Sequence, residues 1–192
     1  MAEFEEALAV QAEKLSWLGK IHMVVLGIPV DQSSKALETY EGIYRRTQLV
    51  GVMNGIAVID DFAHNPSEVA AAISSCQQIS KRVFAWFQPH GFGPLRFMHE
   101  ELALKVSETL RQEDIFMMSD VYYAGGTVNK DIGSETVTDA VKKTHPHTLL
   151  VNDRSALPEK LKSMVQTGDV ILLMGARDPS LSEFASEVLK SL

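Results

Sequence analysis

The chain has 192 residues, 45% of them hydrophobic, so it is long enough to bury a core as one domain with an appendage. Its formal net charge is −7 and its basic residues occur in runs of no more than two, which argues against a nucleic-acid or acidic-membrane surface. The single cysteine, Cys76, excludes an internal disulfide and a multi-cysteine metal site, and we interpret it as a small core residue.

The first forty residues differ in pattern from the remainder. They lack the basic region and apolar stretch of a signal peptide, and no segment of the chain reaches the ~18 uninterrupted apolar residues of a membrane span. We therefore expect a soluble, cytoplasmic protein without membrane or nucleic-acid partners. Residues 3–18 show helical spacing, and the polar cluster at 31–34 precedes a further short helix. These features predict that residues 1–40 form a helical appendage and that 41–192 form the main domain.

From residue 47 onward the pattern predicts an α/β fold. Residues 47–52 and 56–62 are β-rich and flank Asn54-Gly55, a dipeptide typical of a tight antiparallel hairpin. Apolar runs and helical patterns then alternate, which indicates a mostly parallel, Rossmann-like sheet with helices on both faces. Strands are predicted at 82–87, 115–119, 148–151 and 170–174, and helices at 66–79, 97–111, 134–143, 158–166 and 180–192.

Ligands of such sheets bind at the carboxyl ends of the strands, so the loops there are the places to look for function. The first is Asp60 to Pro66, in which Asn65 and Pro66 fit the N-cap and first position of a helix. Helix capping accounts for Asn65 and Pro66 but gives no reason for Asp61 and His64 to be in this loop. A carboxylate there can accept hydrogen bonds from ribose hydroxyls, and the imidazole can orient a phosphate or carboxylate.

Later loops supply further candidates. Residues 87–96 form a predicted loop with two glycines and two prolines, from which His90 and Arg96 can meet an anionic or polar substrate. The loops at 119–126 and 175–180 contain Tyr122 and Arg177, and the second of them has backbone N–H groups at a helix N-terminus. No cluster of metal ligands is evident, so no metal site is predicted in this chain.

Five stretches, taken together in order and spacing, resemble the C-terminal domain of the Mur ligases, and in particular of the members that add L-alanine to UDP-N-acetylmuramate. The resemblance spans about residues 26 to 185. It is carried by GIYRRTQ at 42–48, IDDFAHNP at 59–66, FQPH at 87–90, SDVYYAG at 119–125, and the segment from Gly168-Asp169 to MGARD at 174–178.

The resemblance implies the C-terminal domain of a three-domain, ATP-dependent amide ligase of peptidoglycan-precursor synthesis. In this family the first domain binds the UDP-sugar, the central domain is a P-loop ATPase, and the C-terminal domain closes over ATP and brings the acceptor. An acyl phosphate forms on the UDP-muramyl precursor and is attacked by L-alanine or a related amino acid or peptide. The upstream P-loop domain would be the partner within the same protein, and residues 1–40 resemble its end. ATP and Mg²⁺ would act in the full-length enzyme, with no tight binding to this chain alone.

The resemblance also implies roles for individual residues. Arg46 matches the arginine that reaches the ATP γ-phosphate, so it and His64 are the catalytic candidates. Arg46, Asp61 and Asn65 are the candidates for nucleotide binding, with Asp61 near the ribose. The candidates for substrate binding are His90, Arg96, Tyr122 and Arg177.

The chain departs from the alanine-adding pattern at three positions. Asn65 stands where those members usually have a second histidine, and His-Asn-Pro also resembles folylpolyglutamate and cyanophycin synthetases. After FQPH those members carry several arginines, whereas Gly91 and Pro94 occupy two of these positions here and Arg96 remains.

A phosphate-binding G-x-x-x-x-G-K-[ST] motif is missing from this sequence, since Gly19-Lys20 is followed by Ile21. We therefore predict that the chain alone neither hydrolyses ATP nor forms amide bonds. Two alternatives stay open: a stand-alone, non-catalytic α/β binding module, and a ligase domain of the folylpolyglutamate or cyanophycin synthetase type.

Overall fold

A computed structural model describes Pro29, Asp31, Gln32, Lys35 and residues 43–192. The chain divides into two compact units, Met1–Ile43 and Tyr44–Leu192. Asp31, Gln32 and Lys35 are helical, and the rest of the predicted helical appendage lies outside the described residues. The fold below is that of the second unit.

The second unit contains a six-stranded sheet. Its strands are β1 (Gln48–Met53), β2 (Ile56–Asp61), β3 (Arg82–Gln88), β4 (Ile115–Met118), β5 (Thr148–Leu150) and β6 (Asp169–Gly175), in the spatial order β1-β2-β6-β3-β4-β5. The β1–β2 pair is antiparallel, whereas the pairs β2–β6, β6–β3, β3–β4 and β4–β5 are parallel. The predicted mixed sheet with an N-terminal hairpin is therefore confirmed.

The hairpin turn follows from its sequence. Asn54 and Gly55 have φ angles of 53° and 75°, which is the left-handed backbone that a two-residue hairpin turn requires. Asparagine and glycine adopt this conformation more readily than other residues.

Five α-helices connect or follow the strands of this unit. They are α1 (Pro66–Gln77), α2 (Phe92–Thr109), α3 (Ser134–Lys142), α4 (Leu157–Lys162) and α5 (Leu181–Ser191), with a 3-10 turn at Arg154–Ala156 before α4. Helices α1, α2 and α3 pack in series, and α4 packs against α5. The alternation of side chains along each strand gives the sheet two apolar faces, and the helices cover both of them.

The two faces of β6 illustrate the core. Ile171 and Leu173 belong to a cluster that includes Leu157 and Leu161 of α4 and Phe184 of α5. The alternate residues Val170, Leu172 and Met174 are fully buried on the opposite side. A strand that is apolar at every position is thus explained by burial on both faces.

The predicted start of α2 is wrong. We expected a loop up to residue 96, but α2 begins at Phe92 and leaves only a short connection after β3. Gly91 makes the sharp turn with a φ of 75°, and Pro94 is tolerated because it lies in the first helical turn, where backbone N–H groups need no helical partner.

Candidate functional site

The strand order creates a crevice at the carboxyl edge of the sheet. Strand β6 lies between β2 and β3, and the chain leaves β2 and β3 toward α1 and α2 but leaves β6 toward α5, on the other face. Loops that diverge in this way form the switch point at which open α/β sheets bind ligands. We call this edge, with the loops that follow β2, β3 and β6 and the turn that precedes β1, the rim.

A turn of four residues, 44–47, brings two arginines to the rim, because β1 is antiparallel and begins beside the end of β2. Arg45 is buried, with 6% of its surface exposed, and pairs with Asp60 at 2.9 Å. The side chain of Arg46 is 47% exposed and lies 3.8 Å from Glu68. Both guanidinium groups approach the ring of Phe62, at 5.3 and 5.6 Å from its centroid. Arg46 therefore presents a positive charge to the rim.

Asp61 and Asn65 already have partners within the protein. Asp61 accepts hydrogen bonds from the backbone N–H groups of Thr47 at 2.6 Å and Ala63 at 2.7 Å. Asn65 caps α1, as expected, by accepting a bond from the N–H of Glu68 at 3.0 Å. Asp61 thus fixes the arginine turn against the loop after β2, and the amide nitrogen of Asn65 has no partner among residues 43–192.

His64 and His90 stand side by side on the rim, with ring centroids 5.7 Å apart. Nδ1 of His64 lies 3.1 Å from the carbonyl oxygen of Phe62 and 3.0 Å from a carboxylate oxygen of Glu68. These acceptors place a proton on Nδ1, so Nε2 is the atom of His64 available to a ligand.

The surroundings of the His90 imidazole disfavour its protonated form. Burial, followed by the charges of His64 and Arg177, lowers the pKa of His90 below its usual value. Its Nδ1 is buried and has no hydrogen-bond partner among the residues that the structure describes. Arg177 is exposed in the loop after β6, has a φ of 70°, and is close enough for its charge to act on His90, so the rim brings Arg177 together with Arg46, His64 and His90.

A cleft of about 440 Å³ adjoins these residues at the carboxyl ends of β3, β4 and β6. It is lined by Gln88, Asp120, Tyr122, Arg154, Asp178, Pro179 and Ser180. Tyr122, an expected substrate-binding residue, lies in this cleft and forms an isolated parallel bridge with His90. The carboxylate of Asp120 is exposed and has no hydrogen-bond or ion-pair partner within residues 43–192.

The base of the cleft is a network that the sequence did not reveal. Asp178 accepts from Arg154 at 2.6 Å, from Gln88 at 2.8 Å and from the Ser180 hydroxyl at 2.6 Å. Burial would raise the pKa of Asp178, but the bonds from Ser180 and Gln88 and the charge of Arg154 lower it overall. Arg154 lies in the loop at the carboxyl end of β5, and this position at a strand end is the sequence signal that points to it.

Arg96 is engaged elsewhere. It lies within α2, where its guanidinium pairs with Asp131 and donates to the carbonyl oxygen of Asn129 at 2.9 Å. No contact joins it to His64 or His90 in the part of the chain that the structure describes. Its observed role is to fix the segment between β4 and α3 against α2.

The described residues contain neither a candidate membrane span nor a candidate metal site. No helix among them is long and apolar enough to cross a membrane. Residues 43–192 and the four described residues before them also contain no group of three histidine, cysteine or acidic side chains placed to hold a metal ion.

The fold and the rim define the class of protein: an α/β domain that presents cationic and imidazole groups to a polar or anionic ligand at a switch point. Comparison with known proteins identifies the family. Residues 45–177 match the model of the Mur ligase, glutamate ligase domain, and the chain belongs to this family.

Relatives and solved structures agree with this assignment. UDP-N-acetylmuramate–L-alanine ligases of Pelotomaculum thermopropionicum and Dictyoglomus turgidum are 34% and 30% identical over 155 residues, which is 80% and 79% of this chain. The chain spans about a third of the length of these relatives (33% and 32%). The crystal structure of the UDP-N-acetylmuramate-alanine ligase of Thermotoga maritima matches 88% of this chain and 34% of its own, with a TM-score of 0.63 and 21% identity, and shares the fold.

Proposed function

We propose that this chain serves as the nucleotide-closing and acceptor-bringing domain of an ATP-dependent amide ligase of peptidoglycan-precursor synthesis. The ligase would add L-alanine, or a related amino acid or peptide, to UDP-N-acetylmuramate. The proposal extends to this chain the activity for which its UDP-N-acetylmuramate–L-alanine ligase relatives are named. The observation that carries it is the convergence of Arg46, His64, His90 and Arg177 on the switch-point rim.

The proposed chemistry has two steps. The carboxylate of the precursor attacks the γ-phosphorus of ATP, which gives an acyl phosphate and ADP, and the acceptor amine then attacks the carbonyl carbon and expels inorganic phosphate. Negative charge accumulates around the transferred phosphoryl group, and an exposed guanidinium such as that of Arg46 stabilises it. His64 adds a second group at the rim through Nε2.

Nucleotide and acceptor would occupy neighbouring parts of the rim. Asp61 and Asn65 lie beside Arg46, where the ribose would be expected, although Asp61 would reach it only with a lone pair not used by Thr47 and Ala63. The cleft with Tyr122 suits the acceptor, because the exposed carboxylate of Asp120 attracts an ammonium group and Arg154 attracts a carboxylate.

The rest of the ligase would supply the remaining groups. ATP would be held by an upstream P-loop domain, of which residues 1–40 would be the end, and residues 41–192 would close over it. Mg²⁺ would act together with ATP in the full-length enzyme.

A domain exchange tests the proposal. Residues 44–192 replace the corresponding domain of the Pelotomaculum thermopropionicum ligase, and ADP release is measured with UDP-N-acetylmuramate, ATP and a panel of acceptor amines. We expect acceptor-dependent turnover that falls by about 100-fold in kcat for Arg46→Gln, the usual loss when one preorganised charge-stabilising donor is removed. The matched control is Arg82→Gln, which breaks an ion pair at the opposite edge of the sheet and should leave kcat unchanged.

Two results would contradict the proposal. One is a folded, ATP-binding chimaera that releases no ADP with any acceptor. The other is unchanged kcat in Arg46→Gln. Micromolar nucleotide binding by the 192-residue chain alone, measured by calorimetry, would instead favour a stand-alone binding module.

A further inference from the structure

The arginine turn has a backbone that its own residues disfavour. Arg45 and Thr47 have φ angles of 54° and 48°, in the left-handed region, and neither is glycine. A β-branched residue such as Thr47 is rarely found there, because its side chain crowds the backbone. Conformations of this kind persist only where surrounding contacts determine them. The contacts that hold residues 44–47 therefore determine where Arg46 points.

The strongest of these contacts belong to Arg45. Its Nε donates to both carboxylate oxygens of Asp60, at 3.1 and 2.9 Å, and one terminal nitrogen donates to the carbonyl oxygen of Gly175 at 2.8 Å. One buried guanidinium thus joins the turn to the ends of β2 and β6. The carbonyl oxygen of Arg45 also accepts a bond of 2.7 Å from the N–H of Phe62, the ring over which Arg46 lies.

The carboxylates of Asp60 and Asp61 extend this network to both sides of Arg46. Tyr44 donates to the hydroxyl of Ser182 at 2.7 Å, and Ser182 donates to Asp60 at 3.0 Å. On the other side, Asp61 accepts from the N–H of Thr47. Among the residues that the structure describes, Arg46 itself contacts the ring of Phe62 and, at 3.8 Å, the carboxylate of Glu68. The neighbours of Arg46 are therefore fixed, whereas its guanidinium is held only weakly.

We propose that Arg45 is a positioning residue for Arg46. Its ion pair with Asp60 maintains the left-handed turn, and the turn directs the Arg46 guanidinium over Phe62 and toward the rim. Arg45 is buried and its guanidinium is bound to Asp60 and Gly175, so it acts through Arg46. The proposal rests on the proposed function only where it concerns an anion bound by Arg46, since the orientation of Arg46 can be measured without a ligand.

The chain offers a closely matched control. Arg82 also binds both oxygens of an aspartate, Asp169, donates to a carbonyl oxygen, that of Met164, and lies over a phenylalanine ring, that of Phe84. It begins β3, at the opposite edge of the sheet. Arg82→Gln should therefore destabilise the protein much as Arg45→Gln does without disturbing Arg46.

The first measurement uses the full 192-residue chain without ligand. We expect Arg45→Gln to lower the heteronuclear NOE of the Arg46 Nε–H and to speed hydrogen exchange of the Thr47 and Phe62 amides at least tenfold. Arg45→Lys, which keeps the charge beside Asp60, should recover part of both effects, and it replaces Arg45→Gln if that variant does not fold. Arg82→Gln should leave all three signals unchanged. Wild-type Arg46 mobility in both Arg45 variants would overturn the positioning role.

The second measurement titrates the same variants with inorganic triphosphate, followed by backbone amide shifts. We expect Arg46→Gln and Arg45→Gln each to weaken binding at least fivefold, and Arg82→Gln to have no effect. Weakening in Arg46→Gln but not in Arg45→Gln would overturn the positioning role alone. No weakening in Arg46→Gln would overturn the anion-binding role of Arg46, and the mobility data would then decide the role of Arg45 independently.

Discussion

Arg45 and Arg46 are neighbours in sequence, yet 6% of the first residue is exposed and 47% of the second side chain is exposed. Nothing in the spacing of the two arginines distinguishes them. The difference arises because the turn reverses the backbone between them, so that one side chain enters the end of the sheet and the other faces outward. The resemblance to the family implies a role for Arg46, and the proposed positioning role would explain why Arg45 accompanies it.

Cys76 supports the interpretation made from its helical pattern. The thiol is buried on α1, and burial, followed by the charges of Asp61 and Asp114, raises its pKa well above the usual range. A thiol that stays protonated is a poor nucleophile, so Cys76 belongs to the core rather than to the rim.

The protonation of His90 should make stability depend on pH. Burial and the charges of His64 and Arg177 lower its folded-state pKa below 6.5, the ordinary value. Between these two pKa values the unfolded chain binds more protons than the folded chain, so this histidine's contribution to the free energy of unfolding should fall as the pH decreases through 6.5. Urea unfolding at pH 5 to 8 should show this fall in the wild type and a smaller one in His90→Gln.

The cause of the shift can be checked separately by NMR titration of the His90 ring. Removing a neighbouring positive charge favours the protonated form, so Arg177→Gln should raise the pKa of His90. Lys162→Gln, which removes an exposed charge near the start of β6, should leave it unchanged. A His90 pKa that does not move in Arg177→Gln would show that the charge of Arg177 does not contribute, and would leave burial and His64 as the causes of the shift.

At the scale of elements, the hairpin turn is the feature that local sequence determines most directly. Gly55 has a φ of 75°, and a Cβ placed on it would lie 2.7 Å from Cγ2 of Thr167. Gly55→Ala should therefore lower the free energy of unfolding by about 1–2 kcal/mol, the usual cost of a left-handed alanine, measured by urea denaturation.

Gly93 provides the control for that substitution. It lies in the first turn of α2, and the nearest atom to a Cβ there is 4.0 Å away. Alanine has a higher helix propensity than glycine, so Gly93→Ala should be neutral or stabilise the protein by up to about 1 kcal/mol. If Gly55→Ala and Gly93→Ala lowered the free energy of unfolding equally, the left-handed backbone of Gly55 would not be the cause of the loss.

The same elements show where sequence reasoning succeeded and failed. Asn54-Gly55 predicts its hairpin turn because the left-handed backbone that the turn requires depends on these two residues alone. The strands can be predicted because burial on both faces of the sheet requires continuous apolar runs. The start of α2 was misplaced because Gly93 and Pro94 usually interrupt helices, whereas the first turn tolerates both. Arg154 was missed because its partner, Asp178, is 24 residues away and becomes adjacent only through the order of the strands.

For the whole molecule, the switch point explains why residues distant in sequence meet. Four residues of the rim are contributed by four strands: the turn before β1 carries Arg46, and the connections that follow β2, β3 and β6 carry His64, His90 and Arg177. The order β1-β2-β6-β3 makes these strands neighbours. Their placement could be predicted as soon as a parallel sheet was inferred. The contacts between these residues could not be predicted, because the directions of their side chains depend on the arginine turn and on the short connection between β3 and α2.

In the family that this chain belongs to, ATP is bound by a P-loop domain other than the C-terminal domain, and this division between domains leads to a prediction for the chain by itself. Activation of a carboxylate by ATP needs backbone amides and a lysine around the phosphates, and the sequence contains no G-x-x-x-x-G-K-[ST] motif. We expect the purified chain to release no phosphate from ATP with Mg²⁺, and to form no amide from UDP-N-acetylmuramate and amino acids, above a blank. Adding separately expressed nucleotide- and UDP-sugar-binding domains of a relative should produce turnover that depends on Arg46. Amide formation by the chain alone, absent from identically purified Arg46→Gln, would show that residues 1–192 contain a complete ligase and would refute this division.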